Sequence, residues 1–555
     1  MEDLVTKFDN NSIDNGIDDA DKKHSPNALI QIGISSGIAY KRLQNPVPES
    51  FWNEIDYLKL ILTANVYPVA IESPLQSAYN LSAKLKNNIS LKREDLQPVF
   101  SFKIRGAFNK IQSLTTAERE RGLCAPSAGN HAQALALSAQ KLNCKATIVM
   151  PVCTPQIKVN NVARLGANVV LEGNDFNEAK AHCMRLIKEN NYVLIPPFDD
   201  PMIIAGVGTI AVEISRQTDM RNVHAIFACC GGGGLLSGIA LYMKRLYPHV
   251  KIIGVEHFEQ AKMTLALLNK ELTTVNEPNL FADGTAVSTA GLETFRICRH
   301  LVDEMVVVTN DEICAAIKDT FEDTRSILEP SGALALAGCK RWIAENKSND
   351  ANLIAVCSGA NMDFSRLRFV TERCDIGQEK EGMIHIVIPE VPGTFLKMIN
   401  IINRPFVELS YRFNDSGVKA NVFASFTIND KSDTIRVIDQ LKWNNMEASD
   451  MSDNELMKSH LKFLGGGRCK VENEVIFRFE FRERTKYLQY LYKSFNKWNM
   501  TLCHLRSIGG DVVRVLIGLQ VPEEEKEELI GLLDNTKLYY VEETENTAYQ
   551  AFLIN

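Results

Sequence analysis

The chain has 555 residues, 45% of them hydrophobic and 23% charged, with a formal net charge of −7. That length exceeds what one hydrophobic core serves, and the composition excludes collagen-like, coiled-coil and largely disordered chains. A net acidic balance leaves no global basic field, so neither nucleic acid nor an anionic membrane is an expected partner.

Residues 1–25 carry seven acids against three lysines. They lack the apolar core of a secretory signal and the Arg- and Ser-rich, acid-poor composition of a transit peptide. Residues 1–50 therefore read as an N-terminal extension, a solvated and disordered tail running to about Pro48, and by themselves they favour the cytoplasm.

From Phe51 to about Phe369 short apolar strands alternate with helical stretches. The strands include Ala146–Met150, Asn168–Leu171, Ile252–Val255 and Leu353–Val356, with helical patterns at Ala132–Leu142 and Asn177–Lys188. Continuous rather than alternating apolar strands imply a parallel sheet covered on both faces, with ligands at the carboxyl ends of its strands. His224–Met243 holds no charged side chain but a His, at about the length of a membrane span. Four glycines in its middle argue instead for strand, loop and helix, at a cost of about 1 kcal/mol each inside a helix. The 13 cysteines are scattered with no C-x-x-C pair, so neither a disulfide scaffold nor a metal is expected, and Cys229–Cys230 closes an apolar strand as small hydrophobes.

The character changes at Asp375–Gly382, a polar linker candidate. Beyond it, Ile384–Leu396 resembles Val475–Leu488 at a spacing of about 93 residues. Each is a strand entering a helix, followed by a strand pair: Val407–Phe413 with Val418–Ile428, then Thr501–Ile508 with Val512–Gln520. Two β-α-β-β units of this kind read as paired α+β regulatory domains. The expected division is 51–375, 382–455 and 473–550.

Four loops of the first domain carry chemistry. In Ser101–Ala107 (SFKIRGA), Lys103 lies among Phe100, Phe102 and Ile104. Two readings stay open: a lysine drawn into an apolar pocket, its pKa lowered so that it can form a Schiff base, or a surface lysine that snorkels. Ser127–Gln133 (SAGNHAQ) enters a helix whose free N–H groups suit a carboxylate, or is capped by Ser127 or Asn130. In Gly231–Leu235 (GGGGL) consecutive glycines let backbone N–H groups converge on one phosphate. It lacks a P-loop's Lys-Ser/Thr ending. Cys357–Asn361 (CSGAN) places Ser358 at a strand end, where its hydroxyl could meet a ring nitrogen. An aldehyde, one phosphate and a ring nitrogen together describe pyridoxal phosphate.

These motifs, with Glu72–Gln76 (ESPLQ), Phe281–Val287 (FADGTAV) and Glu329–Gly338 (EPSGALALAG), resemble the biosynthetic threonine dehydratases, plant-type members above all, from about residue 57 to the C-terminus. The resemblance implies a type II pyridoxal-phosphate α/β fold (tryptophan synthase β-like) followed by two ACT-like α+β domains. It implies that Lys103 holds the cofactor aldehyde and removes the α proton. Phe102 would flank the ring, Asn130 contact its hydroxyl, Gly231, Gly232, Gly233, Gly234 and Leu235 hold the phosphate, and Ser358 face the ring nitrogen. Ser127, Ala128, Gly129, Asn130 and His131 would receive the substrate carboxylate. The implied reaction turns L-threonine, and L-serine less well, into a 2-oxoacid and ammonia, with isoleucine as allosteric effector and a homotetramer as the assembly; the alternatives are an isoleucine-desensitised serine/threonine dehydratase and a non-catalytic amino-acid sensor on the same fold. Plant relatives work in plastids. Three departures stand out: Val207 where the family usually has Gln, Cys229–Cys230 for Pro-Val, and Phe481–Leu488 without the Pro and Gly of the second repeat. The first repeat keeps Pro392 and Gly393, so isoleucine is expected there, with Tyr411, and more weakly at the second.

Overall fold

A computed structural model describes residues 23–24, 36–43, 46–275, 280–389, 394–404, 406–411, 419–463, 472–482, 495, 497–507, 512–536 and 538–554. Among the described residues the catalytic-type region carries two main sheets rather than one, and Lys23–His24 pairs with Thr274–Val275 as a separate two-stranded ribbon. The larger has seven strands, in the order Gly37–Lys41, Glu304–Val308, Lys251–His257, Val223–Cys229, Asn352–Cys357, Asn88–Arg93, Leu75–Ser77. Its five inner strands run parallel and the two edge strands antiparallel. The smaller sheet is all parallel, in the order Asn168–Leu171, Ala146–Met150, Leu123–Pro126, Val193–Leu194. The central strands obey the rule that parallel strands are buried: Ala225 to Cys229 and Leu353 to Cys357 are all at most 3% exposed, and Ala146–Met150 and Leu123–Pro126 of the smaller sheet are buried throughout, while its flanking strands Asn168–Leu171 and Val193–Leu194 are not.

The uncharged stretch at 224–243 folds as strand Val223–Cys229, a glycine turn and helix Gly234–Leu246. Among the described residues no helix is long and apolar enough to cross a membrane.

The expected tail needs correction. Gly37–Lys41 is an edge strand paired with Glu304–Val308, and Glu49–Glu54 is helical. Backbone pairing to an otherwise open sheet edge, with Ala39 buried and Ser36 Oγ donating to Glu312 at 2.8 Å, outweighs the polar sequence around it. The linker is also shorter than expected. Helix Leu367–Gly377 runs through Asp375, and strand Glu381–Pro389 follows after three residues, Gln378, Glu379 and Lys380.

The two repeats share one sheet order. The first is Phe406–Tyr411, Lys419–Thr427, Glu381–Pro389, Glu447–Asp450; the second is Asn499–Ser507, Val512–Gln520, Glu474–Arg482, Tyr539–Glu542. Their first strands open at 381 and 474, and helix Thr394–Ile402 follows the first of them. Each unit ends with a further helix and strand, Lys431–Trp443 with Glu447–Asp450 and Lys526–Thr536 with Tyr539–Glu542, beyond the β-α-β-β read from sequence. The fourth strand pairs on the free side of the first and gives the helices a covered face.

A charge cluster, buried except for Glu455, joins these units to the larger sheet's helices. Arg373 donates to Asp311 at 2.5 Å and to Glu455 at 2.7 Å, Arg514 donates to Glu455 at 2.7 Å, and Lys458 donates to Asp311 at 2.6 Å. Asp311 sits on the catalytic side, Glu455 and Lys458 follow the first repeat, and Arg514 lies in the second.

Candidate active site

The four loops meet at the carboxyl ends of the parallel strands. Ser101 forms a β-bridge with Gly359, Phe102 N–H donates to Ser358 O at 3.2 Å and Ala360 N–H to Phe100 O at 2.9 Å. Asn361 Nδ2 donates to Asn130 Oδ1 at 2.7 Å, and Cys229 Sγ to Ser358 Oγ at 3.4 Å. Every loop is thus tied to the CSGAN turn.

Lys103 opens helix Lys103–Ser113, and its Nζ donates to Pro197 O at 2.6 Å. The amine lies 5.4 Å from the Phe102 ring centroid and 6.0 Å from that of Phe198. Burial, opposed by Cys229 and Glu329, pulls its pKa down to about 8. The side chain is thus held between two rings with its amine bonded to the backbone, which favours the pocket reading of this lysine.

Asn130 starts helix Asn130–Lys141, and its Nδ2 donates to Glu329 Oε1 at 2.6 Å. Ser127, Ala128 and Gly129 are partly exposed before it, with Ser127 Oγ accepting from Gly129 N–H at 3.3 Å. His131 departs from the expectation for this loop. Its ring is 4% exposed and meets Ile195 O at 2.8 Å, so it belongs to the interior and offers no side-chain contact to a carboxylate. One helical residue past Asn130, it points about 100° around the axis, into the core. Burial, and next Lys103, depress its pKa to about 4, leaving it neutral.

At the glycine loop, Gly233 has φ +98°, which a side chain would strain, and a Cβ there would fall 2.8 Å from Thr294 Cβ. A Cβ on Gly232 would fall 2.4 Å from the Phe198 ring. The backbone of this loop is thereby free of side chains where it enters helix Gly234–Leu246. Leu235, one residue into that helix, is 3% exposed. Ser358 Oγ donates to Ser331 O at 3.3 Å. Val207 lies in the core inside helix Pro201–Gln217. Pro392 and Gly393 lie outside the described residues, and Tyr411 ends the strand Phe406–Tyr411.

Sequence reasoning quoted Glu329 and Asn361 within motifs without assigning them. Glu329 is 3% exposed, and burial, with Asp283 adding, raises its pKa to about 7. The signal that could have found it is its place just before Pro330, which starts helix Pro330–Asn346 at a strand-end cleft. A raised folded pKa means that ionisation is penalised only in the folded protein, so stability falls as pH rises from about 4.5 to 7 and stays lower above that. Glu329→Gln should therefore stabilise the cofactor-free protein by about 3 kcal/mol at pH 8 and by almost nothing at pH 4.5. Thermal unfolding at the two pH values checks this; equal shifts at both would contradict it.

The chain matches the pyridoxal-phosphate dependent enzyme family over residues 66–359 and the C-terminal regulatory domain of threonine dehydratase over 372–461 and 465–553. It is 49% identical over 516 residues to the mitochondrial threonine dehydratase of Saccharomyces cerevisiae, covering 90% of each chain. The chain belongs to the threonine dehydratase family. A chloroplastic biosynthetic threonine dehydratase 1 of Solanum lycopersicum is 44% identical over 500 residues, covering 90% of this chain and 82% of the relative. The likeness to plant-type members is thus exceeded by that to a yeast relative. The solved processed form of threonine deaminase isoform 2 from Solanum lycopersicum superposes with a TM-score of 0.62 at 44% identity, covering 65% of this chain and 98% of that one.

This threonine dehydratase family depends on pyridoxal phosphate, and the residues present fit it. A half-buried lysine with a lowered pKa, a glycine loop where any Cβ would crowd Phe198, Thr285 or Thr294, and a strand-end serine match its aldehyde, phosphate and ring nitrogen in turn.

Proposed function

We propose that the chain is an L-threonine dehydratase that converts L-threonine to 2-oxobutanoate and ammonia, the first step of isoleucine biosynthesis. The observation that carries this reading is the half-buried Lys103, set on the SFKIRGA motif with its amine between two aromatic rings. When bound, pyridoxal phosphate supplies an aldehyde for an amine and a ring that draws electrons from the substrate's α carbon. Lys103 would hold that aldehyde through its amine, and the same amine would take the α proton. Gly231–Leu235 hold the phosphate on backbone N–H groups at a helix N-terminus, and Phe102 flanks the ring. Ser127–Asn130 receive the substrate carboxylate on the N-terminus of helix Asn130–Lys141, and Asn130 orients the ring hydroxyl. Ser358, a neutral hydroxyl, would face the ring nitrogen. Ala128 carries no proton donor, so a group here that could return the α proton would be lacking, which would disfavour racemisation against loss of the β-hydroxyl.

Residues 37–377 form the catalytic unit in this reading, with regulatory units near 382–455 and 473–550, and the assembly is a homotetramer. Isoleucine is the feedback effector, acting at the first repeat through Pro392, Gly393 and Tyr411 and more weakly at the second. The relatives' names point to mitochondrion or plastid, and cell fractionation separates these from the cytoplasm. The deciding assay is 2-oxoacid release from L-threonine and L-serine with and without isoleucine. Threonine is expected to be preferred and isoleucine to inhibit without two-site cooperativity. No release from either amino acid would overturn the reading.

A further inference from the structure

Lys262 is fully buried at the start of helix Lys262–Asn269, where the helix dipole disfavours a cation. Nζ donates to Cys230 O at 3.1 Å and to Thr285 O at 3.1 Å, and lies 3.3 Å from Glu256 Oε1 as an ion pair. Cys230 is the residue before the first glycine of the loop. Thr285 is its wall, since a Cβ on Gly231 would fall 3.2 Å from Thr285 Cα. One buried cation therefore clamps both sides of the glycine cradle.

Glu256 does not spend its charge on Lys262 alone. Its carboxylate also accepts from Met263 N–H at 3.1 Å, Thr264 N–H at 2.9 Å and Thr264 Oγ1 at 2.8 Å. Those donors share the anion, so positive potential from Lys262 persists on the loop side. The loop itself, Cys229 to Gly238, contains no Lys or Arg. A phosphate there would otherwise rely on backbone dipoles alone. A buried ion pair by itself gives little reason for its presence, because apolar replacements are often as stable.

We propose that Lys262 is a positioning residue for the cofactor phosphate, clamping Cys230 and Thr285 while supplying the cationic field the glycine loop lacks. This rests on the function proposed above. The test measures binding of pyridoxal phosphate and of unphosphorylated pyridoxal to the cofactor-stripped full-length protein by equilibrium dialysis. Lys262→Met should weaken pyridoxal phosphate at least about tenfold while leaving pyridoxal within about twofold, since only the former carries the charge that Lys262 answers. The double variant Glu256→Gln/Lys262→Met, which leaves no unpaired buried charge, should show the same selectivity. Equal weakening of both aldehydes, or no weakening, in whichever variant folds would overturn the inference alone. A wild-type protein that takes up neither aldehyde would overturn the proposed function and this inference with it.

Discussion

Lys103→Ala is expected to lower 2-oxoacid release from L-threonine by about 10⁴-fold, because one side chain supplies both the nucleophilic amine and the base. Steady-state assays of the cofactor-saturated variant check this, and retention of more than about one part in a hundred would remove Lys103 from its assigned role. A second readout separates chemistry from folding. The lysine's pKa is drawn down to about 8 by burial, so its charged form is penalised only in the folded state. That penalty is full below pH 8 and fades as pH rises toward the unfolded value near 10.5. The cofactor-free alanine variant should therefore unfold at a higher temperature than the wild type at pH 7. An inactive but stabilised protein is the signature of a residue kept for chemistry at the expense of stability.

Arg105→Leu is expected to destabilise the catalytic unit by about 3–5 kcal/mol. Arg105 lies two residues beyond Lys103 on the same helix and is fully buried. Its guanidinium donates to Glu94 Oε1 and Oε2, both at 2.8 Å, to Glu213 at 2.5 and 2.9 Å, and to Thr209 and Ile71 O. Lys92 Nζ reaches the same Glu213 at 2.6 Å, so the cluster balances two cations against two anions, all at 0% exposure. Removing Arg105 leaves two buried carboxylates with one ammonium. Burial alone would raise the pKa of Glu94, but Arg105 first and Lys92 next hold it below the usual value. The stabilisation from that depressed pKa is present above the unfolded value near 4.5 and is lost as pH falls below it. Denaturant titration at pH 7 should show the full loss and at pH 4 a smaller one. A loss below about 1 kcal/mol at pH 7 would mean that water or a shifted side chain replaces the guanidinium.

Much of the architecture was legible before any coordinates. Ala146–Met150 and Asn168–Leu171 fold as the strands read from their continuous apolar runs, and the four-glycine break turned an apparent membrane span into strand, loop and helix. The spacing between the repeats also survives, because each strand's amphipathic pattern is a local property. What was misread depended on neighbours. Gly37–Lys41 carries no strong strand pattern and becomes a strand because an open sheet edge accepts its backbone. His131 and Asn130 are adjacent in one motif, yet one faces the core and the other Glu329, a difference set by helical phase against the surrounding packing.

By itself the sequence determined the types of element, the two-part division into a parallel α/β unit and a repeated α+β unit, and the four loops with their lysine, glycines and serine. Those are contained in short windows, where residue chemistry and periodicity act locally. Only the tertiary structure decided which charges are buried and with whom: Glu329 on Asn130, Arg105 between Glu94 and Glu213, Lys262 beneath the glycine loop, and Arg514 on Glu455. Each pairing spans from 11 to 199 residues of chain. The reason is physical: desolvation and Coulomb energy depend on distance and burial in space, which no window of sequence contains until the chain has folded.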